Sequence, residues 1–593
     1  MKTAGTLIRR GDQGYALIIV MVFVGLALIV LASVMNFGKS TAMQADRNNL
    51  FTVSSAASEG ATELVLAQMA NDFYNQALQS TNSYMTNSLL PNATNWPVKF
   101  SFGNPNNTSA VTYVTMYPLN WTTNWAALFS TNAAGLHAFI ANCSATSTAT
   151  VTNQLYNVSA GVQLQFQLAA IPVFQYAIFY NLNMEIDPGA AMTVNGPVFS
   201  NGGIWAGSPF LTFAGPVAAV GIIATNATDP FSTGYTGGGG PTFQNGLSPN
   251  SPSVALPIGT TNDPNALRSL LSLPTNGITP NSSTGAMYFV NQADIIISNS
   301  ASGVIAAYFQ DSNNVSRLTS IPYDSTQIIL NLLTLTLTTN ASYSFATNAS
   351  FYDYRDGKTV QAVQFDVGAF NAWLGGLSGS VYNAQLHADA AHYIDSVYVY
   401  NGATASNTTL PAVRVADGAA LPSHGLTVIT PDPLYVMGNY NATGSSLNNG
   451  TNVANTVPAA LIADAITILS ANWNDHSYTN GYALSSRTPT NTTINAAAYE
   501  GIVPTNGTNY SGGVENFIRL LENWGASSPL TYNGSIVVMF PSKYATNYWK
   551  PVGNYYNPPK RNWAFDLNFQ TQNGLPPLTP ELRAVFRQGW ASY

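Results

Sequence analysis

The stretch from Tyr15 to Gly38 reads YALIIVMVFVGLALIVLASVMNFG and contains no Asp, Glu, Lys or Arg. As a helix it would extend about 36 Å, enough to cross a hydrocarbon core of ~30 Å. Lys2, Arg9 and Arg10 precede it, so the positive-inside rule keeps the first residues cytoplasmic and sends the bulk of the chain outward. The run is too long for the apolar core of a secretory signal peptide, and no small-residue A-x-A site follows a short core. Residues 39–75 keep a helical character, with Ala42, Ala45, Phe51, Ala56, Ala57, Leu64, Val65, Ala67 and Met69 among polar residues and no proline until Pro91. The reading is one continuous helix about 90 Å long. Its second half docks on the globular part, whereas its first half needs lipid or a filament core. A simple single-pass anchor with a stalk produces the same pattern, because hydropathy does not report assembly.

Immediately before the run stands Arg9-Arg10-Gly11-Asp12-Gln13-Gly14, followed by Tyr15-Ala16-Leu17-Ile18-Ile19. This segment resembles the class III leader of type IV prepilins, and it is most similar to PilX- and GspK-like minor pilins and pseudopilins. The resemblance implies cleavage by a prepilin peptidase after Gly14, which would make Tyr15 the new terminus and keep the helix in the mature protein. Leu17, Ile18, Ile19, Val22, Phe23, Leu26, Leu28, Ile29 and Leu31 would then line the membrane or filament. Major pilins carry Glu at the fifth mature position; here it is Ile19, a departure that fits the minor, tip-associated subunits. Two further stretches, MTVNGPVFSNGGIW within 192–205 and FYDYRDGKTVQAVQFDVGAFNAWL within 351–374, resemble blocks of large, poorly characterised exported PilX-like proteins.

Hydrophobic residues make up 46% of the 593 and charged ones only 8%, so the surface must be polar without being charged, while disorder is disfavoured. The 47 Gly and 33 Pro imply many turns and an all-β bias. A net charge of -7 argues against nucleic acid as a partner. With Cys143 alone, neither an intramolecular disulfide nor a cysteine-based metal site can form.

Seven segments emerge: a leader over 1–14; a hydrophobic then amphipathic helix over 15–75; a β-rich domain over 76–176, where GVQLQFQ from Gly161 alternates as a half-buried strand; short strands over 177–224; a Gly/Pro/Asn-rich loop region over 225–285; a mixed α/β segment over 286–390; and a carboxy-terminal α+β domain over 391–593. In 177–224, apolar pieces of three to five residues alternate with Asn-Gly, Pro-Gly and Gly-Pro. That fits rungs of a short parallel β-helix, and it equally fits an antiparallel sheet with tight hairpins. In 286–390, the run Gln327 to Leu337 has strand-like alternation, and Phe370, Trp373 and Leu374 mark a short helix. In the last segment, the spacing of Leu461, Ile462, Ala465, Ile466 and Leu469 predicts an amphipathic helix over Ala459–Trp473, and Val514, Phe517, Ile518, Leu521 and Trp524 predict a second. The expected fold class is α+β, mostly β, with a long amino-terminal helix.

His387, Asp389 and His392 form H-x-D-x-x-H, a weak candidate for metal ligation because residues five apart share a helical face poorly. Asp432, Asp464, Asp475 and Glu515 are separated carboxylates whose simpler role is to cap turns or pair with arginine. Arg414, Arg519 and Arg561 are natural partners for Asp417, Glu515 and Asp566. No G-x-S-x-G, H-E-x-x-H or phosphate-loop pattern occurs, so the expectation is a protein without catalytic activity or cofactor. Trp205, Tyr435, Tyr440, Trp473, Trp524, Trp549 and Trp563 offer faces for sugar stacking. Sequons such as Asn226-Ala227-Thr228 follow from Asn and Thr abundance and do not establish glycosylation.

The combined expectation is a minor pilin or pseudopilin of a type IV pilus or type II secretion-type filament. It would be a single-pass inner-membrane precursor whose bulk is periplasmic or on the cell surface. Its partners would be the membrane, other pilins, prepilin peptidase, and an extracellular surface or carbohydrate. Two alternatives share the anchor: a tethered β-helical protein that binds or cleaves polysaccharide, and a surface adhesin outside any filament.

Overall fold

The computed structural model describes residues 13–593 apart from 87–89, 92–95, 97, 104–109, 129–134, 153, 226–239, 259–260, 276–277, 279–281, 283, 302, 304, 310–344, 377–392, 444–453 and 508. The chain is α+β and mostly β. It opens with one helix, α1 (Gln13–Tyr74, 62 residues), about 93 Å long at 1.5 Å per residue. No proline interrupts it.

The carboxy-terminal part of α1 lies on a six-stranded antiparallel sheet. Strand His137–Thr152 sits between Lys99–Gly103 and Ser159–Pro172, and it also pairs with Thr112–Tyr117 and Trp125–Ala127. The outermost strand, Glu581–Ser592, pairs with Ser159–Pro172 although residues 173–580 separate the two. The expected alternation in GVQLQFQ is present. Val162, Leu164, Phe166 and Leu168 are buried, and Leu164, Phe166 and Leu168 belong to the core beneath α1 with Ala141, Cys143 and Ala145. Ala138, Ile140, Ala169, Ile171, Leu582 and Ala584 join a different core, the interior of the body built by the intervening chain.

That body is a three-faced parallel β-helix. Ile178–Tyr180, Val198–Ser200 and Val217–Ala219 stack in register on one face, Met184–Ile186, Ile204–Ala206 and Ile223–Thr225 on the second, and Met192–Val194, Leu211–Phe213 and Thr242–Phe243 on the third. The alternatives left open for 177–224 are therefore decided: the strands are parallel rungs. Each rung places an apolar residue over its equivalent below. Phe179 and Phe199 stack with rings 7° apart, and Asn201 donates to the Asn181 amide oxygen at 2.8 Å. Corner backbones approach so closely that a Cβ on Gly215 would lie 2.1 Å from the Gly196 carbonyl oxygen.

The rungs continue into a later part of the chain in an unexpected order. The first-face sheet has 11 strands. Ile295–Asn299, Ser396–Asn401, Leu426–Ile429, Ala459–Ile462, Ala497–Ile502 and Ile536–Pro541 rise in parallel succession, and the last of them pairs with Ile178–Tyr180. The early rungs thus stack on the end of the late ones, and the pairs Ile536↔Ile178, Val537↔Phe179 and Val538↔Tyr180 close the joint.

Both helices expected in the carboxy-terminal segment are corrected by the structure. Ala459–Ile462 and Ile466–Leu469 are strands, and Val514–Asn516 is only a 3-10 turn ahead of the strand Arg519–Leu520. A corner between two four-residue strands puts inward side chains at intervals that imitate a helical repeat. Physically, parallel pairing on both sides outweighs local propensity here. The short helix around Phe370 is present as Val367–Gly376. The strand-like run Gln327–Leu337 and Asn226-Ala227-Thr228 lie outside the described residues.

Gly215→Ala should force apart two backbone corners, and overpacking of this kind costs roughly 1–3 kcal/mol. Thermal unfolding followed by near-ultraviolet circular dichroism should show a lower midpoint for this variant. An unchanged midpoint would mean that the corners are not packed as described.

Candidate functional site

α1 has two unlike halves. From Tyr15 to Phe37 every large apolar side chain is more than half exposed, and none of its most apolar 18-residue window is buried. By length and composition this part can cross a membrane. Burying those side chains would release on the order of 20 kcal/mol. That exceeds the whole stability of a typical domain, so such a surface is not left in water. All nine residues expected to line a membrane or filament, from Leu17 to Leu31, lie in this half, and so does Tyr15. Residues 1–12 lie outside the described residues, as do His387, Asp389 and His392; Gly14 falls within the first turn of α1.

The second half is clamped to the sheet. Ser54, Ala57, Ser58, Ala61, Thr62, Val65, Met69 and Phe73 form a fully buried stripe at helical spacing. The side chains at the start of the stripe are small, and they face Ala145, Ser147, Ala149 and Ala160, which are equally buried. Small residues on both surfaces let helix and sheet approach closely. Ser58 goes further: its Oγ donates to the Ala160 carbonyl at 2.7 Å and accepts from the Ala149 N–H at 2.8 Å. Ala149 and Ala160 are opposite residues of the ladder, so one helix hydroxyl bridges the two strands. Ser54 Oγ donates to the Val158 carbonyl at 3.3 Å. Arg587 of the last strand pairs with Glu63, and Arg47 lies over the Tyr156 ring at 4.5 Å. Spacing of Ala57, Val65 and Met69 announced this docking; the hydroxyl bridge was legible only as small polar residues at helical intervals.

The carboxylates within the β-helix hold its rungs. Asp464 accepts from the Lys543, Tyr544 and Ala545 N–H groups and from Ser542 Oγ. Glu522 accepts from the Ser470 N–H at 2.6 Å and its hydroxyl at 2.8 Å. Asp432 accepts from the Asn401 N–H at 3.1 Å. Asp464, Glu522 and Asp432 are all buried. Expected ion pairs are repartnered: Arg414 meets Asp475 at 2.7 Å, Arg519 meets Asp356, and Arg561 donates to Asn516 Oδ1 at 2.8 Å. Tyr435, Tyr440, Trp473 and Trp524 are buried and offer no open face for a sugar, whereas Trp205, Trp549 and Trp563 are partly exposed. Among the described residues, no group of three His, Cys, Asp or Glu is placed to hold a metal.

No family model matches the chain, and no curated protein matches it. Among solved structures it is similar to the competence-associated pilin ComZ from Thermus thermophilus, at 10% identity over 92% of this chain and 98% of that one, with a TM-score of 0.29. A superposition that loose carries no argument about fold or function.

Two outcomes follow. Ser58→Ala strands a buried N–H and a buried carbonyl, a loss of about 1–3 kcal/mol that urea unfolding of the detergent-solubilised chain should register. Separately, burial raises Asp432, Glu515 and Glu522 to about 7 and Asp566 to about 6. The folded state therefore holds more protons than the unfolded chain between the ordinary carboxylate range and neutrality, and stability must fall as pH rises through that window. The unfolding midpoint should be higher at pH 5 than at pH 8, and Glu522→Gln should flatten the difference.

Proposed function

We propose that the chain is a pilin-type filament subunit that waits in the membrane as a single-pass precursor. The observation that carries this reading is the division of α1: a clamped half on an antiparallel sheet and a free apolar half that only lipid or neighbouring helices can cover. The leader-like segment ending at Gly14 supports removal of the first residues by a prepilin peptidase. Assembly would then move the free half from lipid into a bundle of like helices, exchanging one apolar environment for another at little cost.

The insertion of residues 173–580 between two adjacent strands of the small sheet supports a subunit used sparingly, at or near a filament end. A body much larger than the sheet that carries it is difficult to repeat at every position of a packed helical array. The absence of Glu at position 19 agrees with a PilX- or GspK-like role. We assign the exported body to assembly and surface contact in the periplasm or at the cell surface, and we infer no catalysis: Asp432, Asp464, Glu500 and Glu522 are buried in backbone contacts and do not converge on an open groove. A pilus and a secretion filament would use the same features.

Amino-terminal sequencing of the mature protein should begin at Tyr15, and Gly14→Leu should leave the precursor uncut. An intact Met1 in cells with an active prepilin peptidase, or a terminus beyond residue 38, would overturn this reading.

A further inference from the structure

Where α1 ends, the last strand of the sheet and the first part of the β-helix meet. Gln76, just past α1, donates to the Pro257 carbonyl at 3.1 Å, and Arg583 of the last strand exchanges backbone hydrogen bonds with Ala255. A cavity of about 360 Å³ opens at this joint, within the ~300–1,000 Å³ usual for small-ligand sites.

Its wall has an unusual chemistry. The Arg583 guanidinium lies 5.0 Å from the centre of the Phe73 ring and 5.1 Å from that of Trp121, and Phe139 adds a third aromatic surface. Nε and Nη1 of Arg583 are buried and make no hydrogen bond within the protein; Glu581 Oε2 stands 3.4 Å from Nη1. Burial lowers the Arg583 pKa and raises that of Glu581, each opposed by the other's charge, and 12% of the arginine and 34% of the glutamate side chain remain exposed. Nε and Nη1 are closed off from the cavity, so a ligand meets only the part of the guanidinium that stays exposed, beside the Glu581 carboxylate, where both residues line the wall. Glu581 at the same wall repels a carboxylate or phosphate while itself accepting a donor. The complementary ligand is neutral overall, carries hydroxyls that both accept and donate, and presents a C–H face to the aromatic rings.

We propose that this cavity binds a neutral sugar ring, either a free monosaccharide or the end of a glycan, with Arg583 and Glu581 bonding its hydroxyls and Trp121 covering one face. The site differs from the tryptophans and tyrosines singled out in the sequence. It also stands apart from filament assembly, because binding is measured on the purified full chain and amino-terminal processing is measured separately.

Titrating the detergent-solubilised chain with methyl glucoside, methyl galactoside and N-acetylglucosamine, with acetate, phosphate and glycine as comparisons, provides the test. At least one neutral sugar should saturate the intrinsic fluorescence change, and the three comparison solutes should neither bind nor compete. Arg583→Met and Trp121→Ala should each weaken sugar binding at least tenfold. Glu581→Gln keeps the shape of the wall and serves if those variants fail to fold. It should keep sugar affinity within a few-fold while admitting acetate, a gain that a purely structural carboxylate would not produce. Capture of a terminal glycan but no free sugar would place the same ring on a polymer. Binding of acetate, phosphate or glycine in preference to every sugar and glycan, no binding of any sugar or glycan, or affinity unchanged in Arg583→Met and Trp121→Ala, would overturn the proposal.

Discussion

A rigid rod clamped at one end cannot hide its other end. Small side chains on α1 and on the sheet beneath it, with the Ser58 hydroxyl set between Ala149 and Ala160, hold residues 54–74 against the strands. A continuous helix transmits that orientation to Tyr15, and so the apolar half is carried clear of the rest of the described residues. Its exposure follows from geometry and from the absence of any proline to turn it back. The function proposed for this protein rests on that single mechanical fact.

The β-helix answers a different problem, that of building a large body with 8% charged residues. Parallel rungs satisfy most backbone groups by pairing with the rung above and below. Side-chain ladders do the rest: Asn495 donates to the Asn441 carbonyl at 2.8 Å, Asn533 donates to Asn495 Oδ1 at 2.6 Å, and buried carboxylates close the corners. Stability then comes from repetition, with little help from surface ion pairs. The early rungs stack on the late ones through the pairing of Ile178–Tyr180 with Ile536–Pro541, which brings residue 581 back beside residue 172 so that the last strand can complete the small sheet.

How much of this was legible depended on whether the deciding contacts were local. The apolar run at Tyr15, the docking stripe through Val65 and Met69, and the alternation in GVQLQFQ are properties of neighbours along the chain, and the structure agrees with each. Asn-Gly and Gly-Pro corners marked the rungs at 177–224 but could not say whether adjacent strands ran parallel, because that is set by partners some twenty residues away. At Ala459–Leu469 the local signal misled: two strands joined at a corner imitate helical spacing. The joint between early and late rungs and the pairing of Glu581–Ser592 had no local signature at all. Of the site by Arg583, the sequence displays only an arginine two positions after a glutamate; its aromatic neighbours arrive from α1 and from two distant segments.

The body outside the membrane can be varied without touching the claim that matters most, which concerns the free half of α1. Expressed in cells that lack any filament machinery, the chain should resist alkaline carbonate extraction and remain in the membrane pellet, and removal of residues 15–38 should release a folded body into the soluble fraction. Full-length chain recovered in the carbonate supernatant as a dispersed, folded species would contradict the account, because the apolar half of the helix would then have found its cover within the protein itself.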